Sequence, residues 1–184
     1  MYYKNLGPLI INIDGFSLLD QEKNLIKHDL IGGIILFAHN YESKSQLNSL
    51  INDIKAVKDN ILITIDHEGG RVQRLLHDFT HLPSFEAIAK IKNHDKMISQ
   101  AYNSGYTGAS ELSEIGIDLN YSPVVDINHH KSNKLLKDRT FGNDIQLIIA
   151  LSDSYIRGCI DGNILPVLKH FPGHGRVTTD SHTE

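Results

Sequence analysis

At 184 residues the chain is long enough for one domain with a buried core, and 40% hydrophobic with 22% charged residues is an ordinary globular composition. A net charge of −4 supplies no basic surface for nucleic acid or an anionic membrane. No apolar run approaches the roughly 20 residues that span a bilayer, and a single cysteine excludes an internal disulfide framework.

The predicted elements alternate between strand and helix. Pro8 to Gly15 reads as a short buried strand that closes on Asp14 and a glycine turn, and Asp20 is placed to cap a helix over Gln21 to His28. The apolar stretch at Leu9 to Ile13 is too short for a signal-peptide core, which makes a cytosolic location the default expectation. Gly32 to Phe37 is a second strand. Ser43 to Val57 carries Leu47, Leu50, Ile51 and Ile54 at the spacing of an amphipathic helix. Ile61 to Asp66 is a third strand, again ending in a carboxylate, and Gly69-Gly70 follows.

Beyond it, a loop near Pro83 and a short helix after Ser84 precede a long helix from Met97 to Ile115. Gly105 and Gly108 in that helix invite close approach by a neighbour. Ile117 to Tyr121 is a fourth strand, leading to Pro123-Val124-Val125-Asp126. A polar loop over His129 to Arg139 leads to a helix from Asp144 to Asp161. Cys159, flanked by Ile156 and Ile160, reads as a core thiol rather than a nucleophile. The fifth strand is Leu165 to Leu168.

Apolar strands separated by helices imply a parallel sheet covered on both faces. Asp14, Asp66, Asp126, Lys169 and His170 gather at the C-terminal strand ends, where a (β/α) barrel keeps its chemistry; a doubly wound sheet is the alternative. Five strands in about 170 residues is roughly 35 residues per unit, so a barrel of eight would need about 280. The expectation is a single domain over residues 1–184 holding about five of eight barrel units, with open sheet edges and poor solubility.

Three stretches carry candidate chemistry. In Lys169-His170-Phe171-Pro172-Gly173-His174-Gly175, a cationic pair at a strand end can donate to sugar hydroxyls, phosphate or carboxylate. In Asp180-Ser181-His182 the carboxylate can orient the imidazole for acid/base work, or simply cap a turn beside a surface histidine. His170, His174, Asp180 and His182 are competent zinc ligands, but their spacing fits no standard zinc signature and Lys169 would repel the cation. In Asp66-His67-Glu68-Gly69-Gly70-Arg71-Val72-Gln73-Arg74, Asp66 can bridge vicinal hydroxyls with Arg74 in reach, or Glu68 can merely pair with Arg71 across a turn. No G-x-G-x-x-G or Walker pattern accompanies the glycines. Asp138-Arg139 is a third candidate, with a solvated ion pair as its plain alternative.

Taken together with Tyr121-Ser122-Pro123-Val124-Val125-Asp126 and Thr179-Asp180-Ser181-His182, these stretches closely resemble glycoside hydrolase family 3, and within it the bacterial β-N-acetylhexosaminidases. The resemblance runs from near Leu9 to Glu184. It implies a cytoplasmic exo-enzyme of peptidoglycan recycling that releases N-acetylglucosamine from N-acetylglucosaminyl-anhydromuropeptides. The implied mechanism is retaining and uses no metal or other cofactor. By matching motif positions, Asp66, Arg74, Arg139, Lys169 and His170 would bind the sugar. His182 would be the acid/base on a mobile loop, with Asp180 as its partner, in place of the usual second carboxylate.

His67 stands where the family commonly has glutamine. The family's nucleophile, an aspartate in a Ser-Asp-Asp type motif on a later strand, is matched by nothing in these 184 residues. The chain by itself is therefore expected to be inactive. A non-catalytic sugar-binding role and a metal-dependent hydrolase are the alternative readings.

Overall fold

The computed structural model describes residues 5–129 and 135–176. The chain runs through β1 (Leu9–Ile11), α1 (Asp20–Ile26), β2 (Ile31–Leu36), α2 (Lys44–Val57) and β3 (Leu62–Ile65). A hairpin of β4 (His67–Gly69) and β5 (Val72–Gln73) then leads to α3 (Phe85–Ala89) and α4 (His94–Glu114). β6 (Leu119–Asn120), α5 (Ile145–Asp161) and β7 (Leu165–Pro166) complete the order. β1, β2, β3, β6 and β7 form one parallel sheet in that spatial sequence. A doubly wound sheet reverses its strand order at a switch point. Here each strand simply neighbours the next, as successive units do around a (β/α) barrel.

Local sequence explains most boundaries. Ile34, Leu36, Ile63 and Ile65 are fully buried, and Gly33 and Thr64, which point to the opposite face, are buried as well, so β2 and β3 are enclosed on both faces. In α2 the buried side chains are Leu47, Leu50, Ile51 and Ile54, and the Ser43 hydroxyl accepts from the Gln46 N–H at 3.2 Å to close the N-terminus. Asp144 caps α5 by accepting from Gln146 and Leu147 N–H groups.

Some boundaries differ from expectation. β1, β3, β6 and β7 are shorter than their apolar runs, whereas β2 keeps six residues but starts one earlier, at Ile31. Asp20 is the first residue of α1 rather than its cap. Glu22 does that work, taking the Leu19 N–H on Oε2 and the Asp14 N–H on Oε1, both at 2.8 Å. α4 starts at His94, three residues before Met97, because the Asn93 side chain accepts from the Lys96 N–H at 2.9 Å.

The hairpin was not anticipated from the sequence. Its turn is made by Gly69 and Gly70 at φ +100° and +56°, and a Cβ on Gly69 would lie 2.6 Å from the Pro83 carbonyl oxygen. The buried Gln73 side chain then fastens the following loop, donating to the Thr80 carbonyl and accepting from the Leu82 N–H.

Helices cover the outer face, and α4 and α5 pack closely. The close approach expected at Gly105 is real: an added Cβ would sit 2.2 Å from the Tyr155 carbonyl oxygen. Gly158 stands in the same relation to the Tyr102 carbonyl oxygen. Gly108 faces only the Leu82 side chain. Cys159 is buried in this interface, and burial pushes its thiol up to about 12, so it stays protonated at neutral pH. At the two ends of the sheet, Leu9, Ile10, Leu165 and Leu168 are exposed, and no described strand pairs beyond β1 or β7. No helix of the described residues is long and apolar enough to cross a membrane.

Replacing Gly105 by alanine favours helix by about 1 kcal/mol in isolation. In this interface the methyl meets backbone, so Gly105→Ala is expected to lower stability by about 2 kcal/mol in urea denaturation. An unchanged midpoint would mean that α4 and α5 separate without loss.

Candidate functional site

The site follows from strand register. Leu36 is level with Ile65, Ile65 with Asn120, and Asn120 with Pro166, so the residues that follow these positions leave the sheet at one edge. Asn120 extends the ladder with its side chain: Oδ1 accepts from the His67 N–H at 2.9 Å and Nδ2 donates to the His67 carbonyl at 2.8 Å. That clamp holds the start of β4 over the strand ends. Lys169 is held in the same way by backbone, donating to the Pro123 carbonyl at 3.2 Å and accepting from the Val125 N–H at 2.9 Å. Residues 123–126 are thereby laid alongside residues 169–170.

Four of the five predicted sugar-binding side chains converge there directly. Lys169 Nζ lies 2.6 Å from Asp66 Oδ1 and 2.6 Å from Glu68 Oε1. Arg139 grips Glu68 through two parallel bonds, Nε to Oε2 at 2.9 Å and a terminal nitrogen to Oε1 at 2.7 Å. The same terminal nitrogen is 3.5 Å from His170 Nε2. Arg74, the fifth, is more loosely joined: its guanidinium lies over the Phe37 ring and reaches Asp66 Oδ2 at 3.9 Å. Arg74 and Asp66 keep partial exposure, whereas the Glu68 side chain is 1% exposed.

Glu68 and Asp126 are the functional-edge residues that sequence reasoning did not select. Glu68 does not pair with Arg71, as a local turn would have had it. Arg71 instead pairs with Asp138 at 3.1 Å and donates to the Leu135 carbonyl, so Asp138 and Arg139 point to different partners. A charged residue between two others in a strand-end motif was the available signal for Glu68, but the partners lie 71 and 101 positions away. Asp126 Oδ2 is 2.6 Å from His170 Nδ1, and its Oδ1 accepts from the His174 N–H at 2.6 Å. Burial pushes the Asp126 carboxyl up, but these bonds outweigh it and hold the group below the usual carboxylate range. For Arg139, burial works against the charge, and the Glu68 carboxylate more than restores it.

The carboxylates and cations balance: Asp66, Glu68 and Asp126 face Arg74, Arg139 and Lys169. Beside them, between Asp126–Ile127 and the segment from Leu168 to Arg176, opens a cleft of about 450 Å³ with fully exposed Phe171 on its wall. Among the described residues, no group of three or more His, Cys, Asp or Glu side chains is placed to hold a metal ion. Asp180 and His182 lie outside the described residues.

Three kinds of likeness to known proteins accompany this geometry. Residues 9–184 match the profile described as "Glycosyl hydrolase family 3 N terminal domain". A β-hexosaminidase of Nitrosospira multiformis is 39% identical over 183 residues, covering 98% of this chain and 52% of that protein. One of Methylobacillus flagellatus is 42% identical over 180 residues, covering 96% and 51%. The crystal structure of native NagZ from Neisseria gonorrhoeae superposes with a TM-score of 0.91 at 36% identity, over 98% of this chain and 53% of that one. The same protein in complex with N-trifluoroacetyl-D-glucosamine gives 0.91 at 35%, over 100% and 55%. The chain spans about half the length of the curated relatives it matches.

One buried group under the site is expected to make folding stability depend on pH. His67 is 1% exposed, packs against Phe79, and neither ring nitrogen has a hydrogen-bond partner among the described residues. Burial, with the Arg74 cation adding to it, lowers its pKa to about 4. The unfolded chain therefore binds this proton more tightly. The stability His67 confers is complete above its unfolded value near 6.5 and is lost as pH falls towards 4, on the order of 3 kcal/mol in all. Urea denaturation from pH 7.5 to 4 should show that loss, and His67→Gln should remove most of it; equal acid sensitivity in both proteins would refute the assignment.

Proposed function

Since the chain belongs to the glycosyl hydrolase family 3 N-terminal domain family, we propose that its strand-end cluster is the sugar-recognition side of a retaining β-N-acetylhexosaminidase. The observation that carries this reading is the charge-balanced arrangement of Asp66, Lys169, Glu68 and Arg139 at 2.6–2.9 Å. Cations already answered by carboxylates suit a neutral ligand rich in hydroxyls, because an anion would have to displace an internal counter-ion. Asp66 accepts from vicinal sugar hydroxyls, and Arg74, Arg139, Lys169 and His170 donate to ring substituents. The relatives named β-hexosaminidase support this substrate class, as does the neighbour bound to an N-acylated glucosamine.

In this proposal His182 is the acid/base. It protonates the glycosidic oxygen as the bond to the leaving group breaks, then takes a proton from the water that releases the sugar. Asp180, two positions earlier, accepts from the imidazole, fixes its tautomer and raises its basicity. The finer reading is a cytoplasmic enzyme that trims N-acetylglucosamine from anhydromuropeptides during peptidoglycan recycling, without a metal. A retaining mechanism also needs a nucleophile opposite the acid. No Ser-Asp-Asp stretch occurs in these 184 residues, so the chain alone is proposed to bind sugar without turning it over.

Calorimetric titration with N-acetylglucosamine tests the site. Wild type should release heat on binding, and Asp66→Ala and Lys169→Ala should each weaken binding about tenfold or more, given that a hydrogen bond to a charged group contributes roughly 1.5–3 kcal/mol. No heat from folded wild type would sink the proposal. Aryl N-acetylglucosaminide should be hydrolysed negligibly by the 184-residue chain, and turnover abolished by His182→Ala would show that these residues carry a complete catalytic apparatus.

A further inference from the structure

Glu68 and Asp126 are the most enclosed carboxylates of the cluster, and both oxygens of Glu68 are turned towards cationic side chains. Oε1 takes Lys169 Nζ at 2.6 Å and an Arg139 terminal nitrogen at 2.7 Å, while Oε2 takes Arg139 Nε at 2.9 Å. With its side chain 1% exposed and three protein donors on its two oxygens, it is not placed to exchange a proton with a ligand or to accept from one. It occupies the planar fork of a guanidinium beside an ammonium group, which is the arrangement in which proteins commonly hold phosphate or a ligand carboxylate. The cluster thus contains the parts of an anion site with the anion already supplied by the chain.

We propose that Glu68 is a specificity-determining, positioning residue: a built-in anion that occupies Arg139 and Lys169 so that the site takes neutral sugars and refuses anionic ones such as sugar phosphates. The role is carried by charge and direction together. Removing its charge changes the set Asp66, Glu68, Asp126, Arg74, Arg139 and Lys169 from neutral to +1, in surroundings where an uncompensated charge is strongly felt. The Arg139 guanidinium and Lys169 Nζ, which meet on Glu68 Oε1, would then share a neutral amide in place of a carboxylate. Glu68→Gln keeps the shape and removes the charge, so it isolates this effect. The inference deepens the sugar-site reading and rests on it for the identity of the neutral ligand.

Inorganic phosphate and N-acetylglucosamine, titrated separately at fixed ionic strength into the protein and its variants, test it. Wild type should bind the sugar and give no heat with millimolar phosphate. Glu68→Gln should bind phosphate at least tenfold more tightly than wild type and the sugar at least tenfold more weakly. Glu68→Asp, which restores the charge, should again refuse phosphate. A folded Glu68→Gln protein whose phosphate affinity equals that of wild type overturns the proposal. Should Glu68→Gln fail to fold, Glu68→Gln/Arg139→Gln carries the test, because it loses one anion and one cation together. Phosphate refused by that double variant supports the proposal, and phosphate bound by it overturns the dependence on net charge. The phosphate arms need no sugar, so they judge Glu68 separately from the sugar-site reading, which wild-type sugar heat alone decides.

Discussion

Parallel hydrogen bonding between successive strands is the constraint on which the molecule depends. In a parallel sheet every strand points the same way, so the residues that leave each strand reach one edge, whatever their separation in sequence. The pairing of Leu36 with Ile65, of Ile65 with Asn120 and of Asn120 with Pro166 sets those exits level. Asp66 and Lys169, 103 positions apart, meet at 2.6 Å as a consequence. The helices and their apolar faces serve this register by covering the sheet. The contacts of Gly105 and Gly158 show how little room that covering leaves.

The edge created in this way concentrates charge, and the structure answers it internally. Two enclosed cations, Arg139 and Lys169, share Glu68, and Lys169 also leans on Asp66. Enclosed ion pairs gain little net stability over apolar packing, because desolvation offsets most of the attraction. Their value here is directional. A guanidinium held through two parallel bonds cannot rotate, and an ammonium group shared between two carboxylates has a single direction left for its remaining hydrogen. Asp126 does the same for His170 from the other side, and the His174 N–H that it also accepts ties the start of the glycine-broken loop to the site. Preorganisation of this kind is what the proposed recognition of hydroxyl groups would use, since a hydrogen bond is worth little unless its partner is already aimed.

His67 shows the cost of building such a site on an enclosed hairpin. Its ring is packed against Phe79, beside Arg74, with no hydrogen-bond partner among the described residues. Burial keeps the imidazole neutral until the pH falls to about 4. The hairpin around it depends on two glycines with left-handed backbone and on Gln73 reaching across to Thr80 and Leu82. Its geometry is therefore held by tertiary contacts more than by the propensities of its own residues.

The sequence by itself determined the alternation of strands and helices, the parallel class of the sheet and the two strand-end stretches, Asp66 to Arg74 and Lys169 to Gly175, whose polar groups cluster. It could do so because continuous apolar runs, 3.6-residue periodicity and cap residues such as Ser43 and Asp144 are local signals. Asp66, Lys169 and His170 were legible for the same reason, as polar groups directly after apolar strands. Only the tertiary structure decided which charges meet. Glu68 was read as a partner for nearby Arg71, yet it binds Arg139 and Lys169; Asp126 was left without a role, yet it orients His170. Short-range pairing is the only pairing a linear reading can propose. The partners of a charge on a strand end are chosen by register, which brings together residues separated by dozens of positions at distances that no local pattern encodes.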